Sequence, residues 1–252
     1  TKRDELVSRV SDGLGVILIR GLPRERYSDE ECALIYWGIG THAGRPVSQN
    51  SRGHLLGHVT DEGKTLNDPN ARGYQTRNKL DFHCDQLPVD LLGLLCLRKS
   101  KSGGASYLVS APAVHNVLGA ERPDLLVPFK DLNALVGITI REFMESAARY
   151  GDELALTDVQ REALNLLQEI SNREEMRLQM HFQEGDMQFI NNHAILHARE
   201  AYEDYDDPKL KRHLLRVWIA FRDDRRRELA PILAERDAFV RQGGIPKQAA
   251  AA

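Results

Sequence analysis

Cysteine is scarce in this sequence. The 252 residues contain three cysteines, Cys32, Cys84 and Cys96, and no two of them form a Cys-x-x-Cys pair. A small, odd number of cysteines excludes the disulfide framework that stabilises many secreted domains. The composition therefore favours a reducing compartment, and we expect a cytoplasmic protein.

Long apolar runs are also missing. No run approaches the roughly 18 apolar residues that a bilayer-spanning helix needs. The first ten residues, TKRDELVSRV, lack the apolar stretch of a signal peptide. We expect neither a membrane span nor a membrane partner.

Neither positive nor negative charge is in large excess. Lys and Arg together number 34 and Asp and Glu 37, which gives a net charge of -3. Nucleic acid is therefore not an expected partner, because its phosphates attract basic surfaces. The basic run at residues 225–227 follows two aspartates, and this mixture predicts a solvated face on a helix spanning residues 225–241.

The remaining composition is typical of a globular protein. Apolar residues make up 42% of the chain, which is enough to form a hydrophobic core. The sequence contains no internal repeat, low-complexity tract or Pro-rich linker. We therefore expect a single domain over residues 1–252.

Short apolar runs and helical patterns succeed one another along the chain. Runs of strand length occur at residues 15–20, 91–97, 105–109, 187–190 and 214–221. The polar turn at residues 99–104 predicts a hairpin between the second and third runs. Helical patterns follow capping boxes at Ser28 and Thr157 and occur at residues 111–118, 141–150 and 225–241, while residues 44–78 form a long loop region. Strands towards both ends and helices between them predict an α+β fold with a mainly β core, a β-sandwich that carries helical insertions.

The segment His83-Cys84-Asp85 contains two side chains of metal-ligand type. In an extended segment these residues lie on the same face, so both could bind one ion. A third ligand must come from elsewhere, and His197 is the best candidate, with His193 as an alternative four residues earlier. Two imidazoles and one carboxylate on one side of an octahedral ion suit iron(II), although His-x-Asp alone is a weak signal.

Several ordered segments resemble one protein family. They are Tyr74-Gln-Thr76, Phe82-His-Cys-Asp85, Gly93-Leu-Leu-Cys-Leu97, Ser102-Gly-Gly-Ala-Ser106, Gly185-Asp-Met-Gln-Phe-Ile-Asn-Asn192, Leu196-His-Ala-Arg199 and Arg212-His-Leu-Leu-Arg216-Val-Trp218. Together they are similar to the TauD/TfdA-like iron(II)/2-oxoglutarate-dependent dioxygenases, from about residue 44 to the end. The resemblance implies a double-stranded β-helix (a jelly roll of cupin type) with helical insertions. It also predicts a longer segment near residues 127–139 than this chain has.

The resemblance also implies the cofactors and the site. Iron(II) would be held by His83, Asp85 and His197, with His197 preferred to His193 because it matches the family ligand. 2-Oxoglutarate and O2 would be the co-substrates. Arg212 and Ser106 would bind the distal carboxylate of 2-oxoglutarate, since a guanidinium presents a planar fork of donors to a carboxylate. A surface ion pair is the alternative for Arg212.

Arg216 is a candidate for binding the primary substrate. It lies four residues after Arg212, so on a strand both side chains point to the same face. We expect Arg216 to hold an anionic group of a small metabolite, unless it pairs with an internal Asp or Glu or shares the 2-oxoglutarate carboxylate. The implied reaction hydroxylates, desaturates or cyclises an aliphatic carbon and releases succinate and CO2.

Two other functions are compatible with part of these features. A zinc-dependent hydrolase also uses two imidazoles and a carboxylate, and a jelly-roll protein could bind metal without oxygenase activity. Arg212 and Ser106 argue against both, because neither function requires a site for 2-oxoglutarate.

Overall fold

The structure, a computed structural model, describes residues 2–65, 71–126, 144–222, 226, 228, 229 and 231–247. The α-helices within these ranges are α1 (Lys2–Ser11), α2 (Asp29–Ala43), α3 (Ala111–Glu121), α4 (Asp158–Asn172) and α5 (Ala234–Arg241). The strands are β1 (Val16–Ile19), β2 (Arg45–Pro46), β3 (Leu56–Val59), β4 (Leu80–His83), β5 (Leu91–Arg98), β6 (Ser102–Gly103), β7 (Ser106–Ser110), β8 (Arg177–Met180), β9 (Met187–Asn191), β10 (Ile195–Arg199), β11 (Tyr202–Glu203) and β12 (His213–Ala220). None of the described helices is long and apolar enough to cross a bilayer.

Two antiparallel sheets form the centre of the fold. The six-stranded sheet has the order β1-β9-β5-β12-β2, with β3 paired to β12, and the four-stranded sheet has the order β4-β10-β7-β8. Leu92, Ile190 and Trp218 from the first sheet pack with Leu108 and Ile195 from the second in one buried cluster. The inner faces of the two sheets therefore meet, as in the jelly roll that the resemblance implies.

Helices cover both outer faces of this sandwich. Residues of α1 and α2, such as Val10 and Tyr36, pack with Val217 on the outer face of the six-stranded sheet. The outer face of the four-stranded sheet packs against α3 and α4, with Tyr107 buried near Leu164. The β core with helical insertions is thus confirmed, and side chains left on the inner faces are free to build a site.

The capping boxes at Ser28 and Thr157 are both present, and α2 and α4 begin directly after them. The strands expected at residues 15–20, 91–97, 105–109, 187–190 and 214–221 are also present. The long loop region at residues 44–78 contains two short strands, β2 and β3.

The predicted hairpin is wrong. β5 pairs with β9 and β12, whereas β7 pairs with β8 and β10 in the other sheet. The polar connection between them contains β6, which pairs with β11. The two runs are close in sequence, but this connection carries the chain from one sheet to the other.

The prediction for the C-terminal region also needs correction. The helix described there is confined to α5. The side chain of Arg226 is only 4% exposed and forms ion pairs with Asp90 and Asp237, so it does not lie on a solvated face. Residues 127–139 and the first part of the helix expected at residues 141–150 lie outside the described residues.

Candidate metal centre and co-substrate pocket

The two histidines and the aspartate of the predicted triad come together between the sheets. β4 ends at His83, and its antiparallel pairing with β10 places His197 opposite His83. Asp85 lies two residues beyond the end of β4. The Nε2 atoms of His83 and His197 are 4.0 and 3.7 Å from Oδ1 of Asp85. One ligand atom from each residue therefore lies within 4.8 Å of the others.

The two carboxylate oxygens of Asp85 have different surroundings. Oδ2 accepts a hydrogen bond from the indole Nε1 of Trp218 and lies 3.2 Å from Nη1 of Arg216. Oδ1 instead faces both imidazoles. Burial alone would raise the pKa of Asp85, but the charge of Arg216 and the other nearby groups hold that pKa below its ordinary value. The side chain is therefore an anion, with Oδ1 directed towards the histidines.

The histidines are held in the neutral form that binds metals. Nδ1 of His83 lies 2.6 Å from the carbonyl oxygen of Asp81, so Nδ1 carries the proton and Nε2 presents its lone pair. Burial lowers the pKa of His83. Burial, followed by the neighbouring His83, lowers the pKa of His197 to about 3. At neutral pH both imidazoles are uncharged.

This donor set fits iron(II). Two neutral imidazoles and one carboxylate that converge from one side form the facial arrangement typical of non-haem iron oxygenases. Ligand bonds of roughly 2 Å place neighbouring ligand atoms about 3 Å apart in an octahedral site. The separations of 4.0 and 3.7 Å between Asp85 Oδ1 and the two imidazoles would shorten by up to about 1 Å on metal binding.

Asn192 fixes the segment that carries Asp85. Its Oδ1 accepts a hydrogen bond of 2.9 Å from the main-chain N–H of Asp85, and its Nδ2 donates to the carbonyls of Asp85 and Leu87 at 3.3 and 3.1 Å. No role for Asn192 was predicted from the sequence. Its position in the family-like segment just before β10 is the one signal that could have drawn attention to it.

The other histidines lie outside the triad. Nε2 of His193 is 3.3 Å from Oδ1 of Asp90, so its ring is turned away from Asp85. His58 and His213 form a pair, in which Nδ1 of His58 lies 2.8 Å from Nε2 of His213. The geometry therefore favours His197 over His193 as the distal ligand.

Arg212 lies inside the protein, not at the surface. It is 4% exposed, and its guanidinium carbon is 5.0 Å from the centre of the Tyr202 ring. Nη1 of Arg212 is buried and has no hydrogen-bond partner within the described residues. Burial lowers the pKa of this guanidinium. Ser106 is also buried, at 8% exposed, on the inner face of β7.

Arg216 lies directly beside Asp85. Nε of Arg216 donates to Oε1 of Gln49 at 2.7 Å, and the guanidinium packs 4.9 and 4.8 Å from the ring centres of Tyr74 and Trp218. The internal carboxylate partner considered as an alternative is thus present. Arg216 also lines a cavity of about 230 Å³, together with residues that include Gln49, Asn50, Arg52, His54, Glu62 and Tyr74.

Comparison with known proteins agrees with this geometry. The family described as taurine catabolism dioxygenase TauD, TfdA matches residues 2–136 and 137–218. The chain is 32% identical to the FR-33289 synthase of Streptomyces rubellomurinus over 85% of this chain and 71% of that protein. It is 30% identical to a taurine hydroxylase-like protein of Stachybotrys chartarum over 84% of this chain and 62% of that protein.

Solved structures share the fold. An asparagine oxygenase, in complex with Fe(II), 3-hydroxyasparagine and succinate, aligns with a TM-score of 0.63 at 17% identity, covering 87% of this chain and 79% of its own. The non-haem iron oxygenase OrfP, in complex with Fe and 2-oxoglutarate, aligns with a TM-score of 0.57 at 20% identity, covering 91% of this chain and 83% of its own. With the family match and the convergent donor set, these comparisons show that the chain belongs to the TauD/TfdA family and is an iron(II)- and 2-oxoglutarate-dependent dioxygenase.

Proposed function

We propose that His83, Asp85 and His197 are the iron ligands of this dioxygenase. The observation that carries this assignment is the orientation of Asp85, whose Oδ1 faces both imidazoles while Oδ2 is held by Trp218 and Arg216. When bound, iron(II) with 2-oxoglutarate supplies the oxidising chemistry: one atom of O2 enters succinate as CO2 is released, and the other is available to oxidise the substrate. The chain itself fixes the ligands and keeps bulk water from them.

We further propose that Arg212 and Ser106 bind the distal carboxylate of 2-oxoglutarate. A buried guanidinium without a counter-ion is costly, and a carboxylate can accept two parallel hydrogen bonds from it. The unpaired Nη1 of Arg212 supports this role. A hydrolytic zinc site would leave that guanidinium unexplained.

We infer that the primary substrate is a small metabolite with an anionic group. The cavity beside Arg216 is also lined by Arg52 and His54, with Glu62 as its acidic residue. Besides Arg216, which is paired with Asp85, the cavity thus offers the guanidinium of Arg52 to an anionic group of a substrate. The taurine named for one relative is a sulfonate, which is compatible with such a cavity. Hydroxylation of an aliphatic carbon is the expected reaction, with desaturation or ring formation as variants of the same oxidation.

The experiment that tests this function is a turnover screen. Purified protein with iron(II), 2-oxoglutarate and O2 is incubated with sulfonates, phosphonates, amino acids and simple carboxylic acids, and succinate release above the substrate-free rate is measured. We expect stimulation by a compound that has an anionic group a few bonds from an aliphatic C–H.

Matched histidine variants test the ligand assignment. His197→Ala should abolish both succinate release and stoichiometric iron(II) binding, because two protein ligands cannot compete with water for a weakly held ion. His193→Ala should retain both. Activity that survives in His197→Ala but is lost in His193→Ala would overturn the assignment of the distal ligand.

A further inference from the structure

A second buried arginine lies on the inner face of the four-stranded sheet. Arg199 follows His197 by two residues on β10, so both side chains point between the sheets. Its register partner across the strands is Ser106 on β7, and directly opposed residues have Cβ atoms only about 5 Å apart. Arg199 is 6% exposed. Arg199 therefore lies beside Ser106, whose hydroxyl we assign to the distal carboxylate of 2-oxoglutarate.

Arg199 and Arg212 pack against the same aromatic ring. Their guanidinium carbons lie 4.9 and 5.0 Å from the ring centre of Tyr202. The fold thus brings two cations into one buried region, an arrangement that an anion would stabilise.

The protein satisfies only part of Arg199. Nη2 donates to the carbonyl oxygens of Thr76 and Asn78, which ties β10 to the segment before β4. Nε and Nη1 are buried and lack hydrogen-bond partners among the residues that the structure describes. The contacts with Thr76 and Asn78 therefore account for only one of the three guanidinium nitrogens of Arg199.

Asp204 contacts this pair of arginines through the main chain. It accepts a hydrogen bond of 2.8 Å from the main-chain N–H of Arg212, and its charge acts only weakly on that guanidinium. Within the described ranges neither guanidinium forms an ion pair with a carboxylate of the chain. Unpaired donors on two buried cations are the complement of an external carboxylate, which can accept several hydrogen bonds.

We propose that Arg199 is a second arginine, besides Arg212, that binds the distal carboxylate of 2-oxoglutarate and selects for 2-oxo acids that carry one. This inference rests on the proposed roles of Arg212 and Ser106 at the same carboxylate. It makes Arg199 a specificity-determining residue for the co-substrate, in addition to its structural contacts with Thr76 and Asn78.

The test compares two ligands that differ only in this group. 2-Oxopentanoate has a methyl group where 2-oxoglutarate has its distal carboxylate. Dissociation constants of both are measured by anaerobic calorimetric titration of the iron(II)-loaded protein, without turnover. Arg199→Met should weaken 2-oxoglutarate roughly tenfold or more, because it deletes one partner of a buried charge contact. The same change should leave 2-oxopentanoate within about twofold.

The chain offers a matched control. Arg177 also packs over a tyrosine, with its guanidinium carbon 4.5 Å from the ring centre of Tyr107, but it lies on the outer face of the same sheet. Arg177→Met should leave both affinities unchanged. Arg199→Lys keeps the charge and loses the planar fork, so it should weaken 2-oxoglutarate selectively but less than Arg199→Met does. This second variant also provides the test if Arg199→Met does not fold.

The outcomes separate this inference from the proposed function. Equal weakening of both ligands, or no weakening of either, would overturn the role of Arg199. If Arg212→Met has no effect while Arg199→Met selectively weakens 2-oxoglutarate, the role of Arg212 fails and that of Arg199 stands. If the unsubstituted protein binds both ligands equally, the proposed carboxylate site is wrong and both roles fail with it.

Discussion

At the scale of single residues, Asp85 is oriented by side chains from distant parts of the chain. His83 and Asp85 stand two apart in the sequence, a spacing that directs both side chains to one face of an extended segment, although Asp85 lies just beyond the end of β4. Asn192 and Trp218 hold Asp85 from 107 and 133 residues away. No local pattern predicts such contacts, because they depend on how separate strands pack.

Arg216→Met tests whether this residue binds the substrate. We expect substrate-dependent succinate release to fall roughly thirtyfold or more, since a buried charge contact to the anionic group is lost. The affinity for 2-oxoglutarate and the substrate-independent turnover should be preserved, because Trp218 still holds Oδ2 of Asp85 in this variant. Gln49→Leu is the control, because it removes the partner of Arg216 Nε but keeps the charge. Loss of iron(II) binding in Arg216→Met would show instead that Arg216 mainly serves Asp85, and an equal loss of 2-oxoglutarate affinity would assign it to the co-substrate.

At the scale of elements, local signals gave reliable helix starts and strand positions but not strand partners. Ser28 and Thr157 cap their helices through contacts within four residues, which the sequence contains in full. The partners of β5 and β7 are instead β9 and β10, about a hundred residues onward. Short connections usually produce hairpins, and here the additional pairing of β6 with β11 directs the chain to the other sheet.

A histidine pair links β3 to β12 and makes this junction sensitive to acid. Arg98 can only donate, so its contact of 3.0 Å with Nδ1 of His213 makes that nitrogen an acceptor. Nε2 of His213 then carries the proton and donates to Nδ1 of His58. Burial, then the neighbouring His58, Arg98 and Arg24, lower the pKa of His213 to about 4, and burial and His54 lower the pKa of His58. Both rings are therefore neutral in the folded protein at neutral pH.

We predict that the folded state loses stability as the pH falls from about 6.5 towards 4. The unfolded chain binds protons on these histidines at pH values where the folded chain does not, so the stabilisation is present above the ordinary histidine pKa of roughly 6.5 and is lost below it. Urea unfolding of metal-free protein at pH 7.5 and pH 5.0 measures the loss. His213→Gln should reduce that loss by roughly 1 to 2 kcal/mol, allowing for partial exposure. An unchanged pH dependence in this variant would contradict the assignment.

At the scale of the whole molecule, the candidate site joins the two sheets. His83 and His197 belong to the four-stranded sheet, whereas Trp218 and Arg216 extend from β12 of the six-stranded sheet to the Asp85 between them. The jelly roll came from resemblance to a family, since composition and periodicity predicted only a β-rich sandwich. The covering helix α1 was not predicted, because its apolar face consists of little more than Val7 and Val10.

Ligands that bind between the sheets should stabilise the entire fold. We predict that iron(II) raises the unfolding temperature of metal-free protein under anaerobic conditions, and that 2-oxoglutarate raises it further only when iron(II) is present. A ligand at a hundred times its dissociation constant adds about 2.7 kcal/mol to the free energy of unfolding. Differential scanning fluorimetry measures both steps. Asp85→Ala should remove both increases in unfolding temperature. An increase of equal size with iron(II) in that variant would indicate that the ion binds elsewhere.

The hydrogen bond from Trp218 and the ion pair with Arg216 affect the denticity of Asp85. A free aspartate can rotate and bind a metal ion with both oxygens, which would occupy one more position around it. Because Oδ2 is engaged from the opposite sheet, Asp85 would bind the metal ion of our assignment through Oδ1 alone. An octahedral ion held by three single-atom ligands retains three open positions, the number needed for a bidentate 2-oxo acid and dioxygen. The six-stranded sheet thus helps to set the coordination capacity of a metal to which, in our assignment, it contributes no ligand.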